Sequence, residues 1–425
     1  MVDAPPSRRV PEWRTRPRRP RQEIAMSNLP LYLRPGRIGT VTIANRIVRA
    51  ATSETMAAPG GEVLDSYVDL YRRLAAGGAG LILTGHMYVD PRGQASRHQT
   101  GIHRDGVIPY LRRATRAVHE AGGTIFAQLG HCGSQTMMSS ITPVAPSPVP
   151  NAMYAHQPEE LSEAGIEALV RAFGDAAGRA REAGFDGVHI HGGNGYLISE
   201  FCSPHANTRE DGWGGDAERR GRFLVEVYEA VRAAVGTGFP VTARLSVEDS
   251  VPGGLLREES LQRARLLAER GIDGFETTFG VMRSYAENIR PYVAVGRRQA
   301  WRQLLAQRCW NPEGPEAYYR PFARDVRRAA GVPTILVGGV RTTGTMTDVL
   351  ASGDADFVAM ARPFIREPDL VRKLEAGRTG GVECVSCNMC LAHDGWDPLQ
   401  CWRDTPANVI RHLRKRHWTN RRNPQ

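Results

Sequence analysis

Lysine is almost missing from this 425-residue chain. Only Lys373 and Lys415 occur, so arginine supplies nearly all the positive charge, a bias of coding rather than of function. Basic charge is also missing where a nucleic-acid-binding domain would need it. Residues 1–25 hold seven arginines against Asp3, Glu12 and Glu23 (+4), and residues 402–425 hold seven basic groups against Asp404 (+6). The formal total is +10, so everything between the two tails sums to zero and nucleic-acid binding by the body of the chain is excluded. No stretch approaches the roughly 18 apolar residues of a membrane span; a cytoplasmic protein is expected. The Pro/Arg-rich start "MVDAPPSRRVPEWRTRPRRPRQEIA" has no apolar run, so residues 1–25 are expected to be a disordered basic tail. Ser7-Arg8-Arg9 opens like a twin-arginine signal, but no hydrophobic region follows. Met26 is an alternative start, which would leave residues 1–25 outside the native protein.

What is present is an alternation. Short β-branched runs appear at 46–51, 80–84, 124–129, 187–190, 240–245, 274–278, 333–337 and 356–360. Between them lie amphipathic helical patterns such as "LVRAFGDAAGRAREAGF" and "ERRGRFLVEVYEAVRAAVG", most closed by glycine. Eight such β/α units in about 330 residues describe an α/β fold, the TIM (β/α)8 barrel. The expected domains are the barrel over 26–378, a cysteine-rich segment over 379–402 and a basic tail over 403–425.

In such barrels chemistry gathers at the C-terminal ends of the strands. Those ends carry Ala51 to Ser53, Thr84, Gln128, His191, Arg244, Thr278, Gly338 with Gly339, and Ala361 with Arg362. "LVGGV" and "VAMARP" place small residues where backbone N–H groups can approach a phosphate, with Arg362 beside them as a cation. Two tight turns without a ligand would need the same glycines. The stretch "GVHIHGGNGYLISEF" ends an apolar strand in histidines, glycines, an asparagine and a tyrosine, which a core does not require.

"NRIVRAATSE", "FAQLGHCG", "HGGNGYLISEFCSPHANTREDGWGGDAERRGRF", "ARLS" and "DADFVAMARPFIREPDL" resemble stretches of the old yellow enzyme family of FMN-dependent oxidoreductases. The resemblance spans roughly residues 28–402 and implies an FMN across the barrel mouth. It implies that Gln128 and Arg244 bond the flavin pyrimidine, that Ala50, Ala51, Thr52 and Ser53 line its edge, and that Gly338, Gly339, Ala361 and Arg362 hold its phosphate. Ala51, Ala361 and Ser53 depart from the family's commoner proline, glycine and threonine or cysteine. Alanine still donates an N–H to a phosphate, whereas Ser53 near the flavin C4 carbonyl could alter its potential. His191 and Asn194, three residues apart on a turn, can aim two donors at a carbonyl or nitro oxygen. Hydride from flavin N5 would then reach the β-carbon of an enone, and Tyr196 would protonate the α-carbon. His189 is given no role, since strand alternation is expected to turn it away from His191.

Seven cysteines, four of them crowded into 384–401, suggest a metal site in a reducing compartment rather than disulfides. Cys384, Cys387 and Cys390, spaced by two residues, can cap one face of a cubane, and Cys401 can complete a [4Fe-4S] ligand set. Zinc more often takes paired C-x2-C units; zinc or an empty thiol group stays as the alternative. The segment resembles that of trimethylamine dehydrogenase and 2,4-dienoyl-CoA reductase, FMN and iron–sulfur relatives of old yellow enzyme, although its last gap, ten residues, is a little short. Cys132, Cys202 and Cys309 are expected in the core or loops. Those relatives continue into nucleotide-binding domains, but only 24 residues follow Cys401 here, with no G-x-G-x-x-G. A ferredoxin or electron-transfer flavoprotein could dock on "RHLRKRHWTNRR", or that stretch could be a solvated helix end.

The expected activity is reduction of an α,β-unsaturated carbonyl or thioester by an FMN enzyme using NAD(P)H, in a homo-oligomer. An amine dehydrogenase or demethylase, passing electrons out through the cluster, is the second enzymatic reading; an amine cation would prefer aromatic and acidic neighbours. A redox-sensing binding protein is the third, disfavoured by the neutral centre and the complete flavin motif. The pocket roof is expected from residues 281–312, whose sequence names no substrate.

Overall fold

The computed structural model describes residues 28–422 apart from 152, 155, 283–287 and 290–315, with side chains to 415. The tail at 1–25, Cys309 and nearly all of the expected roof segment therefore lie outside the described residues.

Eight strands close into a barrel in chain order: β1 (Ile47–Arg49), β2 (Leu81–Tyr88), β3 (Ile125–Gly130), β4 (Gly187–Gly192), β5 (Val241–Glu248), β6 (Gly274–Phe279), β7 (Thr334–Val337) and β8 (Phe357–Met360). Every neighbouring pair is parallel, and β8 pairs with β1. Parallel pairing requires a crossover, and helices such as Glu163–Glu182 and Ala217–Val235 supply it. Ser162 and Asp216 start these two helices by accepting a backbone N–H from Gly165 and Arg219. Their apolar faces meet through Phe173 and Phe223, and Phe223 also packs on Phe201 of the short helix Leu197–Cys202.

The lower half of the barrel interior is apolar. Val48, Leu81, Leu83, Phe126, Ile335 and Phe357 fill it, and a preceding hairpin, Gly36–Ile38 with Val41–Ile43, seals it with Ile38 and Ile43. Burial of each such side chain contributes about 1.5–3 kcal/mol. Polar residues begin above this plug, so the fold confines its chemistry to the mouth.

Two strands run furthest beyond their expected ends, β2 to Tyr88 and β5 to Glu248. The β2 extension contains a register shift between Leu83 and His86, which swings His86 onto the mouth. After β8 the chain forms the short helices Arg362–Arg366 and Leu370–Glu375, then the cysteine-rich segment, then a helix at Pro406–Arg422. That last helix is tied down by His412 Nδ1, 2.8 Å from His393 Nε2, while His393 Nδ1 lies 2.7 Å from Asp397 and its ring stacks on Trp402 at 3.6 Å. Among the described residues no helix is long and apolar enough to cross a membrane.

Candidate active site

One cavity at the barrel mouth is lined by all thirteen non-cysteine residues to which the sequence reading gave a role, Ala50 to Ser53, Gln128, His191, Asn194, Tyr196, Arg244, Gly338, Gly339, Ala361 and Arg362, but not by Thr84, also at a strand end. Cys390 reaches the same cavity. Its floor is set by cross-strand register: Gln128 on β3 pairs with His189 on β4, His191 pairs with Arg244 on β5, and Arg244 pairs with Glu276 on β6.

Glu276 is fully buried and anchors this floor. Its Oε2 accepts from Arg244 Nε at 2.6 Å and from His189 Nε2 at 3.2 Å. Burial alone would raise its carboxyl, but Arg244 and His189 bring it down to about 2. Glu276 thus stays ionised and holds Arg244 by one nitrogen, leaving the rest of the guanidinium to the cavity. The expected orientation of His189 is corrected here. Side chains alternate with a period of two, so positions 189 and 191 share the inward face, His189 one layer deeper. His189 supports the floor rather than turning away from it.

Three rings converge on one wall. His191 meets Tyr196 edge-on at 4.7 Å, and His86 lies 5.0 Å from Tyr196 and 5.9 Å from His191. Burial, then the Arg244 charge, holds His191 well below the usual imidazole value and brings His86 down to about 4. Both are therefore neutral near pH 7. Asn194 takes a left-handed φ of +59°, and its Oδ1 accepts from Thr278 Oγ1 at 2.7 Å. Tyr196 precedes the helix Leu197–Cys202, which the buried Glu200 pins to the loop after β3 by accepting from the Ser134 hydroxyl and from Ser134 N at 3.1 Å.

The opposite wall is built for an anion. Gly338 and Gly339 have φ of +115° and +79°. A Cβ at Gly338 would come within 2.8 Å of both Tyr318 and Tyr319, so only glycine fits there. Arg362 and Arg341 both line this end, and Arg341 is pushed below the usual guanidinium value by burial first and by Arg362 second. Crowded guanidinium groups of this kind favour a phosphate between them. At the pyrimidine end, Gln128 Nε2 is buried and has no hydrogen-bond partner among the described residues, a donor in need of an acceptor. The residues present fit FMN at both ends.

Sequence reasoning missed His86, Arg341, Thr278's bond to Asn194, and Glu54. Glu54 accepts from Gly85 N at 2.6 Å and from the Tyr71 hydroxyl, which anchors the preceding Ala50 to Ser53 run. Only Arg341, two residues past the Gly-Gly pair, had a local signal.

The model of the NADH:flavin oxidoreductase / NADH oxidase family matches residues 32–380. The chain belongs to this family, that of old yellow enzyme. The family is one of flavin oxidoreductases. It is 35% identical over 369 residues to an NADH oxidase of Thermoanaerobacter brockii, covering 86% of this chain and 54% of that protein. It is also 35% identical to the 4,4'-dithiodibutanoate disulfide reductase of Rhodococcus erythropolis, covering 85% of this chain and 92% of that one. The old yellow enzyme homologue of Zymomonas mobilis superposes with a TM-score of 0.68 at 27% identity, over 89% of this chain and 98% of the other. This chain thus spans about half the length of the NADH oxidase and nearly all of the other two.

The four C-terminal cysteines, Cys384, Cys387, Cys390 and Cys401, line a second cavity of about 340 Å³ that shares Arg362, Ile365, Ser386 and Cys390 with the first. Among the described residues no three His, Cys, Asp or Glu side chains gather closely enough to hold a single metal ion. Cys132 and Cys202 are buried, as expected.

Proposed function

We propose that the protein reduces the carbon–carbon double bond of an α,β-unsaturated carbonyl compound or thioester with electrons from NAD(P)H. The observation that carries this reading is the convergence of His191, Asn194 and Tyr196 on the cavity that Gln128 and Arg244 also line. FMN would be held by Gln128 and Arg244 at its pyrimidine, by Ala50 to Ser53 along that edge, and by Gly338, Gly339, Ala361 and Arg362 at its phosphate, with Arg341 as a second cation. When bound, it supplies hydride transfer in both halves of the cycle.

The chain's own groups do the rest. Neutral His191 donates a hydrogen bond to the substrate oxygen and Asn194 donates a second, so charge developing on that oxygen meets two fixed donors. Tyr196, a phenol protonated at neutral pH, hands its proton to the α-carbon. Arg244, held by Glu276, presents its guanidinium to one end of the cavity. Incubating the FMN-loaded protein anaerobically with NADPH and 2-cyclohexenone tests the reading. Formation of the saturated ketone supports it, and no turnover across enones and enoyl thioesters overturns it.

Cys384, Cys387, Cys390 and Cys401 would hold a [4Fe-4S] cluster. Their common cavity is far larger than one ion fills, and the loop between them passes through two left-handed residues, Ser386 and Asn388. Such a cluster would exchange electrons with an acidic carrier, such as a ferredoxin or electron-transfer flavoprotein, docked on the basic C-terminal helix. Iron and acid-labile sulfide assays on anaerobically purified protein decide it; stoichiometric zinc would sink it.

A second reading, oxidation of a cationic amine, is favoured by Asp394 on the cavity wall. Although solvent-accessible, Asp394 sits deep enough among protein atoms that desolvation holds its carboxyl above the usual range, partly offset by a hydrogen bond from Ser53. Flavin bleaching by secondary or tertiary amines, lost in Asp394→Asn, would support this reading over ene-reduction.

A further inference from the structure

Asn194 is held at three points. Its N–H donates to Phe279 O at 2.8 Å, its carbonyl accepts from Gln135 Nε2 at 2.9 Å, and its side-chain Oδ1 accepts from Thr278 Oγ1 at 2.7 Å. The first two contacts fix the backbone in its left-handed conformation but leave the amide free to turn over. A primary amide presents a donor at one end and an acceptor at the other, and turning it over exchanges the two at little steric cost. The third contact therefore decides what the substrate meets.

Thr278 is fully buried, and its hydroxyl lies between two side-chain carbonyls, Asn194 Oδ1 and, at 3.4 Å, Asn288 Oδ1. Asn288 Oδ1 already accepts from the Tyr319 hydroxyl at 2.6 Å. A hydroxyl has one proton, so Thr278 serves the shorter bond, to Asn194. The threonine cannot easily swing aside, because a Cβ at Gly193 would come within 2.4 Å of its methyl group: the turn rests directly on Thr278. Asn194 lines the cavity, and its Nδ2 has no hydrogen-bond partner among the described residues.

We propose that Thr278 is a positioning residue whose hydroxyl locks the Asn194 amide so that the NH2 end, and not the oxygen, faces the substrate oxygen. The proposal rests on the reading of Asn194 as a donor to that oxygen. Were the amide reversed, its oxygen would oppose the substrate oxygen, and the Thr278 proton would have only the longer contact to Asn288.

The test uses FMN-loaded protein and a phenol, 4-hydroxybenzaldehyde, whose oxygen stands in for the enolate and whose binding is read from the flavin absorbance. Thr278→Val keeps the shape and removes the hydroxyl; it should raise Kd about tenfold. Thr278→Ser should restore the wild-type value, with FMN content equal in all variants. In the double variant Thr278→Val/Asn194→Ala, binding should be no weaker than in Asn194→Ala alone, because the hydroxyl acts only through the amide. Wild-type binding by Thr278→Val, or a loss that adds fully to that of Asn194→Ala, overturns the positioning role and leaves the donor role of Asn194 standing. Undiminished binding by Asn194→Ala itself overturns both.

Discussion

The two cavities that meet at Cys390 are built in opposite ways. The wall of the first comes from strand ends whose neighbours hold each functional group: Glu276 holds Arg244, Thr278 and Gln135 hold Asn194, and Glu54 anchors the run that ends in Ser53. The second is lined by a loop with no strand or helix between Cys384 and Cys390, bent through Ser386 and Asn388 at φ of +54° and +60°. Left-handed non-glycine residues cost of order 1 kcal/mol each and persist only where surroundings enforce them. The barrel enforces its own site, whereas the cysteine loop takes its bends with no strand or helix to hold them.

Breaking the barrel side should give the largest effect. Tyr196→Phe removes the proposed acid and keeps the ring, so enone turnover should fall by about 10² to 10⁴ while reduction of the flavin by NADPH continues. Stopped-flow traces of the two half-reactions separate these outcomes, and full enone activity would mean that the proton comes from elsewhere.

Breaking the other side should leave the first untouched. In Cys387→Ser/Cys390→Ser, iron should be lost with FMN retained, and limited proteolysis should cut within residues 384–401 well before the barrel. Equal protease resistance in the variant and the wild type would show that the loop needs no metal to hold its shape.

The anion end gives a smaller, graded effect. On the proposed placement of FMN, Arg341→Ala would remove one of two charge-assisted contacts to its phosphate, which corresponds to about a 10- to 100-fold rise in the FMN dissociation constant. Riboflavin, lacking the phosphate, should bind the variant and the wild type alike; if it discriminates between them, Arg341 acts elsewhere.

Smallest over any single pH unit is an effect from Glu200, which sharpens how the barrel holds Tyr196. Burial raises its carboxyl to about 8, against hydrogen bonds from Ser134 that lower it. The folded state therefore binds this proton more tightly than the unfolded chain. Its contribution is complete below the unfolded value near pH 4 and is lost as pH rises toward 8, by up to about 1.4 kcal/mol per pH unit. Glu200→Gln should flatten that decline in urea titrations between pH 5 and 8; an unchanged slope would mean that Glu200 is ionised in the fold.

Much of the site was legible because residues at strand ends are read from local pattern. Each β-branched run marks a strand, each strand end marks the mouth, and the thirteen positions given a role from strand ends and family likeness line one cavity, though the strand-end Thr84 does not. His86 was not legible. Its place depends on a register shift within β2, and "LTGHMY" carries no mark of where pairing with β3 slips. The inward face of His189 was legible in principle from strand alternation, and the expectation misapplied a period of two.

The sequence by itself thus determined the eight-unit barrel and the polar mouth above it, because hydrophobic period is a local property. Tertiary structure alone decided which groups charge, orient or support one another: Glu276 beneath Arg244 and His189, Thr278 against Asn194, Arg341 beside Arg362. Those partners lie 21 to 87 residues apart. Only closure of the barrel and the register between its strands brings them within hydrogen-bonding or Coulombic reach, and neither is written in any short stretch of chain.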